Sequence, residues 1–562
     1  MLLQRLVEYA QRQEDLAPPL YTEAWVRYVI ELDPSSRLLN PEPIDLSDNG
    51  DRRGQRRAVP NVQRTVAIKP LLLADNAEYT FGLARETSRP ERVQACHAAY
   101  LALLEQCASQ TGDPLVGAVL RFLHDDPPGR LTLPEDFDRE AKIIFRVADA
   151  FPHRQSAVQR FWVRHNAPDT DGDKDSARMQ CIVCGERKPV VRRLRGKIKR
   201  VPGGQTSGTA LISANKPAFE SYGLEASHIA PTCPECGDSF TKAINDLLRD
   251  DSCRVWFRHL IFAFWTREEV DFDFATWLKE PEPQAVRELI GAVRTGGPPA
   301  DVDQTAFYGV SLSGSGGRAV VRDWVDTTVG EAKISLANWF EGQRIVDAWG
   351  DEPRPLRVYA LAAATVRDLQ DLPAPTARVL LRSALTDTPL PWSLLAQAVR
   401  RNHAERDVTR QRAALIKLVL TSQHDREELD MVQLQPHHPD PAYHCGRLLA
   451  VLEQVQRLAI GPNISATIVD RFYGTASTAP ASVFGRLLSG AQPHLSKLQR
   501  DRPGTAYALQ VRLEEILGEL PAFPPTLDLK QQGLFALGYY HQRADDRAQA
   551  LAAKVEAAPE PE

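Results

Sequence analysis

Leu3, Leu6, Val7 and Ala10 fall on one face at helical spacing, and Pro18-Pro19 stops the pattern, so the first sixteen residues read as an amphipathic helix. Tyr21 to Leu32 reads as extended chain. Helical periodicity returns over Glu91 to Gln110, Val116 to His124 and Gln155 to Val163, and again over Phe240 to Leu248. Val255 to Trp265 is dense in aromatic residues (Trp256, Phe257, Phe262, Phe264, Trp265) and reads as buried core. Phe307 to Leu312 alternates as a strand, Ser313-Gly-Ser-Gly-Gly-Arg318 turns it, and Ala319 to Trp324 returns. That turn is a hairpin and not a phosphate loop, because no Gly-Lys-Ser/Thr follows it.

From about residue 331 the pattern is mostly helical. Beyond Met431 four apolar faces succeed one another: Leu448 to Ala459, Phe484 to Leu498, Leu509 to Leu520, and Leu534 to Ala552. Short links containing Pro and Gly make these an antiparallel bundle. The fold class expected is α+β: a mixed α/β N-terminal domain, an inserted zinc-ribbon-like knuckle pair, and a C-terminal antiparallel helical bundle. The expected spans are 1–180, 181–236 for the knuckle element, 237–420, and 431–562 for a four-helix bundle.

With 562 residues the chain is long enough for two to four domains. A net charge of −5 means that any nucleic-acid contact must come from local patches. The N-terminus has no basic region ahead of a long apolar core, and no run of ~18 apolar residues occurs, so neither a signal peptide nor a membrane span is expected. The reading is a cytoplasmic protein. Eight cysteines, four of them in metal-type knuckles, suit a reducing compartment. Cys96, Cys107, Cys253 and Cys445 read as buried thiols.

The chemistry centres on Cys181-Ile-Val-Cys184-Gly185 and Cys233-Pro-Glu-Cys236-Gly237. Two such turns bring four thiolates to one point, the closed tetrahedral set of a structural zinc site. A redox dithiol is the weaker alternative, since it needs only one knuckle. Between the knuckles, Arg187 to Arg200 carries eight Lys or Arg, Arg195, Lys197, Lys199 and Arg200 among them, and no acid. Such a run on a rigid base favours polyanion binding. Gly203-Gly204-Gln205-Thr206-Ser207-Gly208 follows, flexible and rich in short polar groups. Arg52, Arg53, Arg56 and Arg57 lie in a polar stretch that is either a surface turn or a clamp on a nucleic-acid backbone. Asp169, Asp171, Asp173 and Asp175 read as an acidic turn, because a calcium loop would need Gly at Lys174 and Glu at Gln180.

Four blocks carry a resemblance. They are Asp75-Asn76-Ala-Glu78-Tyr79; Gly203 to Asn215 with Ala218-Phe-Glu-Ser-Tyr-Gly223; the hairpin ending Arg322-Asp-Trp324; and Asn463-Ile-Ser-Ala-Thr with Asp470-Arg-Phe-Tyr-Gly474. In content and order they resemble the large subunit of the type I-C CRISPR Cascade complex, an RNA-guided surveillance assembly, nearly end to end. The resemblance implies a non-enzymatic role beside the guide RNA, the backbone subunit, the 5′-handle-binding subunit and a small subunit. Such a subunit inspects double-stranded DNA for a protospacer-adjacent motif (PAM), assists R-loop formation, and presents the target to a separate helicase-nuclease. Base pairing then reads the target and protein reads the PAM.

On that reading Arg195, Lys197, Lys199 and Arg200 grip phosphate, and Gly203, Gly204 and Ser207 let backbone approach a groove. The amides of Gln205 and Asn215 could read base edges. Asn76 is a further candidate reader, or simply a turn-forming residue. Met431 could start a separately made C-terminal small subunit, which the resemblance also implies. Two alternatives remain: a stand-alone zinc-ribbon DNA-binding factor and a metal-dependent nuclease. The closed cysteine set weighs against the nuclease.

Overall fold

The computed structural model describes residues 1–47, 52–62, 67–85, 88–125, 127–166, 176–194, 196–295, 304–351, 353–423, 431–462 and 464–556. The acidic run Asp169 to Asp175, Arg195, Asn463 and the tail from Ala557 lie outside them. The chain forms two compact units: Met1–Lys199 with Ser207–Asp246, and Arg200–Thr206 with Leu247–Glu562. Among the described residues no helix is long and apolar enough to cross a membrane.

The first unit is built on a four-stranded sheet of order β3-β2-β6-β5. It comprises β2 (Tyr28–Leu32), β3 (Ile44–Asp45), β5 (Ala74–Asp75) and β6 (Ile143–Val147). β2 and β6 run parallel, which requires the long helical crossover between them. Its helices form where the sequence supplies ends. Pro90–Thr111 closes on Gly112 in the left-handed region, and Asp113 then caps Pro114–His124 by accepting from the Leu115 and Val116 amides. Tyr28, Ile30 and Leu32 point into the core with Phe145, Phe122, Tyr100 and Trp162. Val29, Ala74 and Ile144 point to the opposite face. There an antiparallel ribbon of β1 (Tyr21–Val26) and β4 (Gln55–Pro60) packs Val26 and Val59 against them. The expected single extended stretch at 21–32 is therefore two strands that serve different sheets. A second ribbon, β7 (Ser176–Gln180) with β8 (Arg187–Val191), carries the first knuckle at its turn.

The second unit opens with an antiparallel sheet of order β12-β11-β10-β9. Its strands are β9 (Arg254–Phe257), β10 (Leu260–Thr266), β11 (Ala306–Ser315) and β12 (Arg318–Thr328). The expected hairpin is present as β11–β12. The aromatic stretch is two strands, and Trp256 is half exposed because it points away from the core. Helices fill the remainder, and one apolar core runs from Val255 to Tyr540.

The C-terminal part differs from expectation in two respects. Besides the four expected helices, now seen at Pro441–Ile460, Phe484–Asp501, Pro503–Gly518 and Leu529–Glu556, a fifth spans Ile468–Ala476. It was missed because it is short, although Thr467 and Asp470 form a capping box at its start. Nor is 431–562 closed on itself. Tyr540 donates to the Val346 carbonyl at 2.9 Å, Arg543 pairs with Asp407 at 2.9 Å, and Gly533 lies against Leu395 and Ile416. Met431, expected in a polar stretch, is buried in that common core.

Candidate metal centre and nucleic-acid interface

In the first knuckle Gly185 takes a positive φ of 75° and its amide donates to the Cys181 carbonyl at 2.9 Å. The second knuckle lies at the start of the helix Pro234–Leu247, where the helix dipole favours thiolate. The four Sγ atoms of Cys181, Cys184, Cys233 and Cys236 lie within 4.8 Å of one another. A tetrahedron with Zn–S bonds of about 2.3 Å has sulfurs about 3.8 Å apart, so the four positions fit such an ion. The Cys233 amide also donates to the Cys181 sulfur at 3.4 Å. Hydrogen bonds from Cys233 and Cys236 pull the Cys181 thiol far below its ordinary value, and the same sharing pushes Cys233 up to about 12. Cys181 is thereby favoured as thiolate, the form that ligates a metal. The N-terminal helix covers the site: Leu3 and Val7 pack on the cysteines, and Gln4 donates to the Val183 carbonyl at 3.1 Å.

The basic run is not wholly free of acids. Lys188 pairs with Glu186 at 2.8 Å and Glu235 at 3.4 Å, and Arg192 pairs with Glu225 at 2.9 Å. Glu186 sits directly before the basic run, whereas Glu225 and Glu235 arrive by folding. Lys197 and Lys199 are different. Asn245 fixes their backbone, donating to the Lys197 carbonyl and accepting from the Lys199 amide, both at 2.8 Å, and their side chains are exposed. Ile198 bridges Thr209 beside them, and a side chain at Gly208, whose φ is 103°, would meet the Lys197 Cβ at 2.8 Å.

Arg200–Thr206 belongs to the second unit and lies on the turn of the β11–β12 hairpin. Gly204 bridges Gly316, the Gln205 amide donates to the Gly316 carbonyl at 3.1 Å, and the Gln205 side chain lies exposed beside Gly317. The flexible segment inferred from composition is thus pinned at its middle. Gly203, Gln205 and Ser207 are exposed, as is Asn215.

Asn76 takes a structural role. Its side chain accepts from the Tyr79 amide at 3.3 Å as the cap of the short helix Ala77–Thr80. Glu78 in that helix is buried against Arg85 at 2.7 Å. The block Asp470 to Gly474 likewise serves a helix cap and a buried Tyr473. Two exposed aromatics were missed by sequence reasoning, Phe219 and the almost fully exposed Tyr222. Tyr222 stands in a turn closed by Gly223, whose φ is 69°. An aromatic ring flanked by Ser and Gly in an insertion was the signal available.

The description "CRISPR-associated protein (Cas_Csd1)" matches residues 3–546. The chain belongs to this family. It is therefore a CRISPR-associated, Cascade-type protein. No curated protein matches the chain.

Proposed function

We propose that the chain is the large subunit of a type I-C Cascade complex, which binds double-stranded DNA, reads the PAM and assists R-loop formation. The observation that carries the reading is the mounting of Gln205 on the β11–β12 turn. A long amide that donates and accepts is held at the surface by backbone bonds, the condition for selective contact with a base edge. Exposed Lys197, Lys199 and Arg200, its neighbours in sequence, supply phosphate contacts. Exposed Tyr222 offers a ring that can stack on an unpaired base.

The chain performs no reaction itself on this reading, and a separate helicase-nuclease cleaves. Its partners are the backbone subunit, the 5′-handle-binding subunit, a small subunit, guide RNA and target DNA. Four cysteines would hold a structural Zn²⁺, which orders the base of the insertion. The decisive experiment is purification of a tagged chain with its neighbouring genes. Copurifying guide RNA and subunits support the reading. Tight DNA binding by the isolated chain without them would instead indicate a stand-alone factor, and Mg²⁺-dependent cleavage a nuclease.

The region from about Met431 is proposed to be made also as a free small subunit. Because Met431 and the helix Leu529–Glu556 share the core of residues 247–422, such a product would expose that apolar face and would need a partner to cover it. Mass spectrometry of the purified complex tests this. A single full-length product, unchanged when the Met431 codon is altered, would remove the idea.

A further inference from the structure

A cleft of about 490 Å³ opens within the second unit. The helix Pro283–Thr295 contributes Val286 and Ile290 to its wall, and the end of the helix Val329–Gln343 contributes Phe340 and Gln343. Arg410, the first residue of the helix Arg410–Ser422, and the segment Pro353-Arg354-Pro355 complete it. That segment is held in place. The two prolines restrict the backbone on either side of Arg354. The Leu356 amide donates to the Gln343 side-chain oxygen at 2.9 Å, and an Arg410 terminal nitrogen donates to the Arg354 carbonyl at 2.7 Å.

Four arginines and one carboxylate line the cleft. Glu341, the carboxylate, pairs with Arg344 at 2.9 Å. Arg287, Arg354 and Arg410 have no such partner among the described residues. Arg287 reaches only the Gln284 side-chain oxygen at 3.4 Å, Arg410 makes its single side-chain bond to the Arg354 carbonyl, and the exposed Arg354 guanidinium makes none. The Arg410 Nε is buried without a hydrogen-bond partner, and so is the Gln343 side-chain nitrogen. Because the Gln343 oxygen already accepts from Leu356, the donor side of that buried amide is what remains. Burial holds the Arg410 guanidinium below its usual range, and Tyr540 and Asp347 offset this only in part. The cleft therefore carries an excess of cationic donors beside an apolar wall. Donors without acceptors are unfavourable there, and an oxyanion would satisfy several at once. A carboxylate would balance one charge, whereas a phosphate monoester brings a charge of about −2 and three acceptor oxygens. The volume exceeds what an inorganic ion needs and suits an organic ligand.

We propose that this cleft binds a phosphate monoester of a small organic molecule, with the phosphate on Arg287, Arg354 and Arg410 and the organic body against Val286 and Ile290. The site shares no residue with the segment 197–215 assigned to duplex DNA, so its failure would leave that reading standing. The test is isothermal titration calorimetry of the full chain with phenyl phosphate, adenosine 5′-monophosphate, benzoate and inorganic phosphate. Both phosphate monoesters should bind at one site per chain. Benzoate lacks the phosphate and inorganic phosphate lacks the body, so each should bind about tenfold more weakly or worse. Arg354→Gln, at an exposed position, should weaken phenyl phosphate about tenfold, and Arg287→Gln/Arg354→Gln about a hundredfold. Lys197→Gln/Lys199→Gln should leave it unchanged, which separates this site from the DNA surface. Absence of saturable binding of both monoesters at millimolar concentration would overturn the proposal, as would equal affinity in Arg354→Gln. Benzoate binding as tightly as phenyl phosphate would overturn the phosphate assignment, and inorganic phosphate doing so would overturn the organic body.

Discussion

The amide of Gly314 donates to the carbonyl of Pro202 at 2.6 Å, and this bond seats the Gly203-Gly204-Gln205 segment on the hairpin. The approach leaves no room for a side chain: a Cβ on Gly314 would lie 2.1 Å from the Gly204 nitrogen. Gly314→Ala should therefore lift the segment while leaving the sheet folded. Preference for the correct PAM should fall as in Gln205→Ala, by about 1–3 kcal/mol for a lost bidentate base contact. Gly317→Ala, whose Cβ would meet only the Gln205 side chain at 3.4 Å, should be mild. Competition binding of the assembled complex to matched and mismatched PAM duplexes measures this. Equal losses on every PAM variant would rule out Gln205 as a reader.

Neutralising Lys197, Lys199 and Arg200 should weaken all duplex DNA about equally and flatten the salt dependence, by a slope of roughly 0.9 per lost phosphate contact. Neutralising Lys188 and Arg192, already paired with Glu186, Glu235 and Glu225, should change the slope less. Asn76→Ala should instead lower thermal stability, by about 1 kcal/mol for a lost helix cap. An unchanged slope in the triple variant would show that these cations do not meet DNA.

One zinc per chain is expected by elemental analysis. Structural zinc contributes roughly 10–16 kcal/mol in small finger peptides at neutral pH. Cys233→Ser should thus lose the metal and loosen the insertion, raising proteolysis between residues 187 and 232. Buried Leu6, with Leu3 and Val7 on the knuckles, ties the N-terminal helix to the same event. Zinc-free protein with an intact insertion would contradict the assignment.

Two buried histidines set an acid limit. Burial holds His153 and His541 down to about 3 in the folded chain, against about 6.5 when unfolded. Between those values the unfolded chain takes up protons that the folded chain refuses. Stability is therefore complete above pH 6.5 and falls as pH drops towards 3, by about 1.4 kcal/mol per pH unit for each such group. Calorimetry at pH 7.5, 6 and 5 should show it, with a shallower fall in His541→Gln.

The helices Pro441–Ile460 and Leu529–Glu556 cross on a pair of glycines. A Cβ on Gly446 would meet the Phe535 carbonyl oxygen at 2.0 Å, and one on Gly538 the Tyr443 carbonyl oxygen at 2.0 Å. Since backbone is in the way, Gly446→Ala and Gly538→Ala should each destabilise by about 3 kcal/mol or more. Denaturant unfolding of the two variants checks this.

Local patterns were legible where neighbouring residues decide the outcome. The cysteine knuckles, the N-terminal helix and the 306–328 hairpin follow from spacing, alternation and turn residues alone. What could not be read depends on partners far along the chain. Lys188 and Arg192 carry no sign in sequence that Glu235 and Glu225 will meet them. Asn76 looks alike as cap or reader until Tyr79 is seen to donate to it. The C-terminal helices were correctly periodic, yet an apolar face does not say which surface covers it, and here the covering surface includes Leu395 and Ile416.

The Gly446–Gly538 crossing also carries a temporal consequence. At ~5–20 residues per second, synthesis separates these two glycines by roughly 5–18 s. Throughout that interval the helix bearing Gly446 has left the ribosome without the strand of chain that will roof it. Completion of the larger unit thus waits for the chain around Gly538, and a ribosome that stalls between the two glycines leaves an unroofed nascent protein to chaperones and proteases.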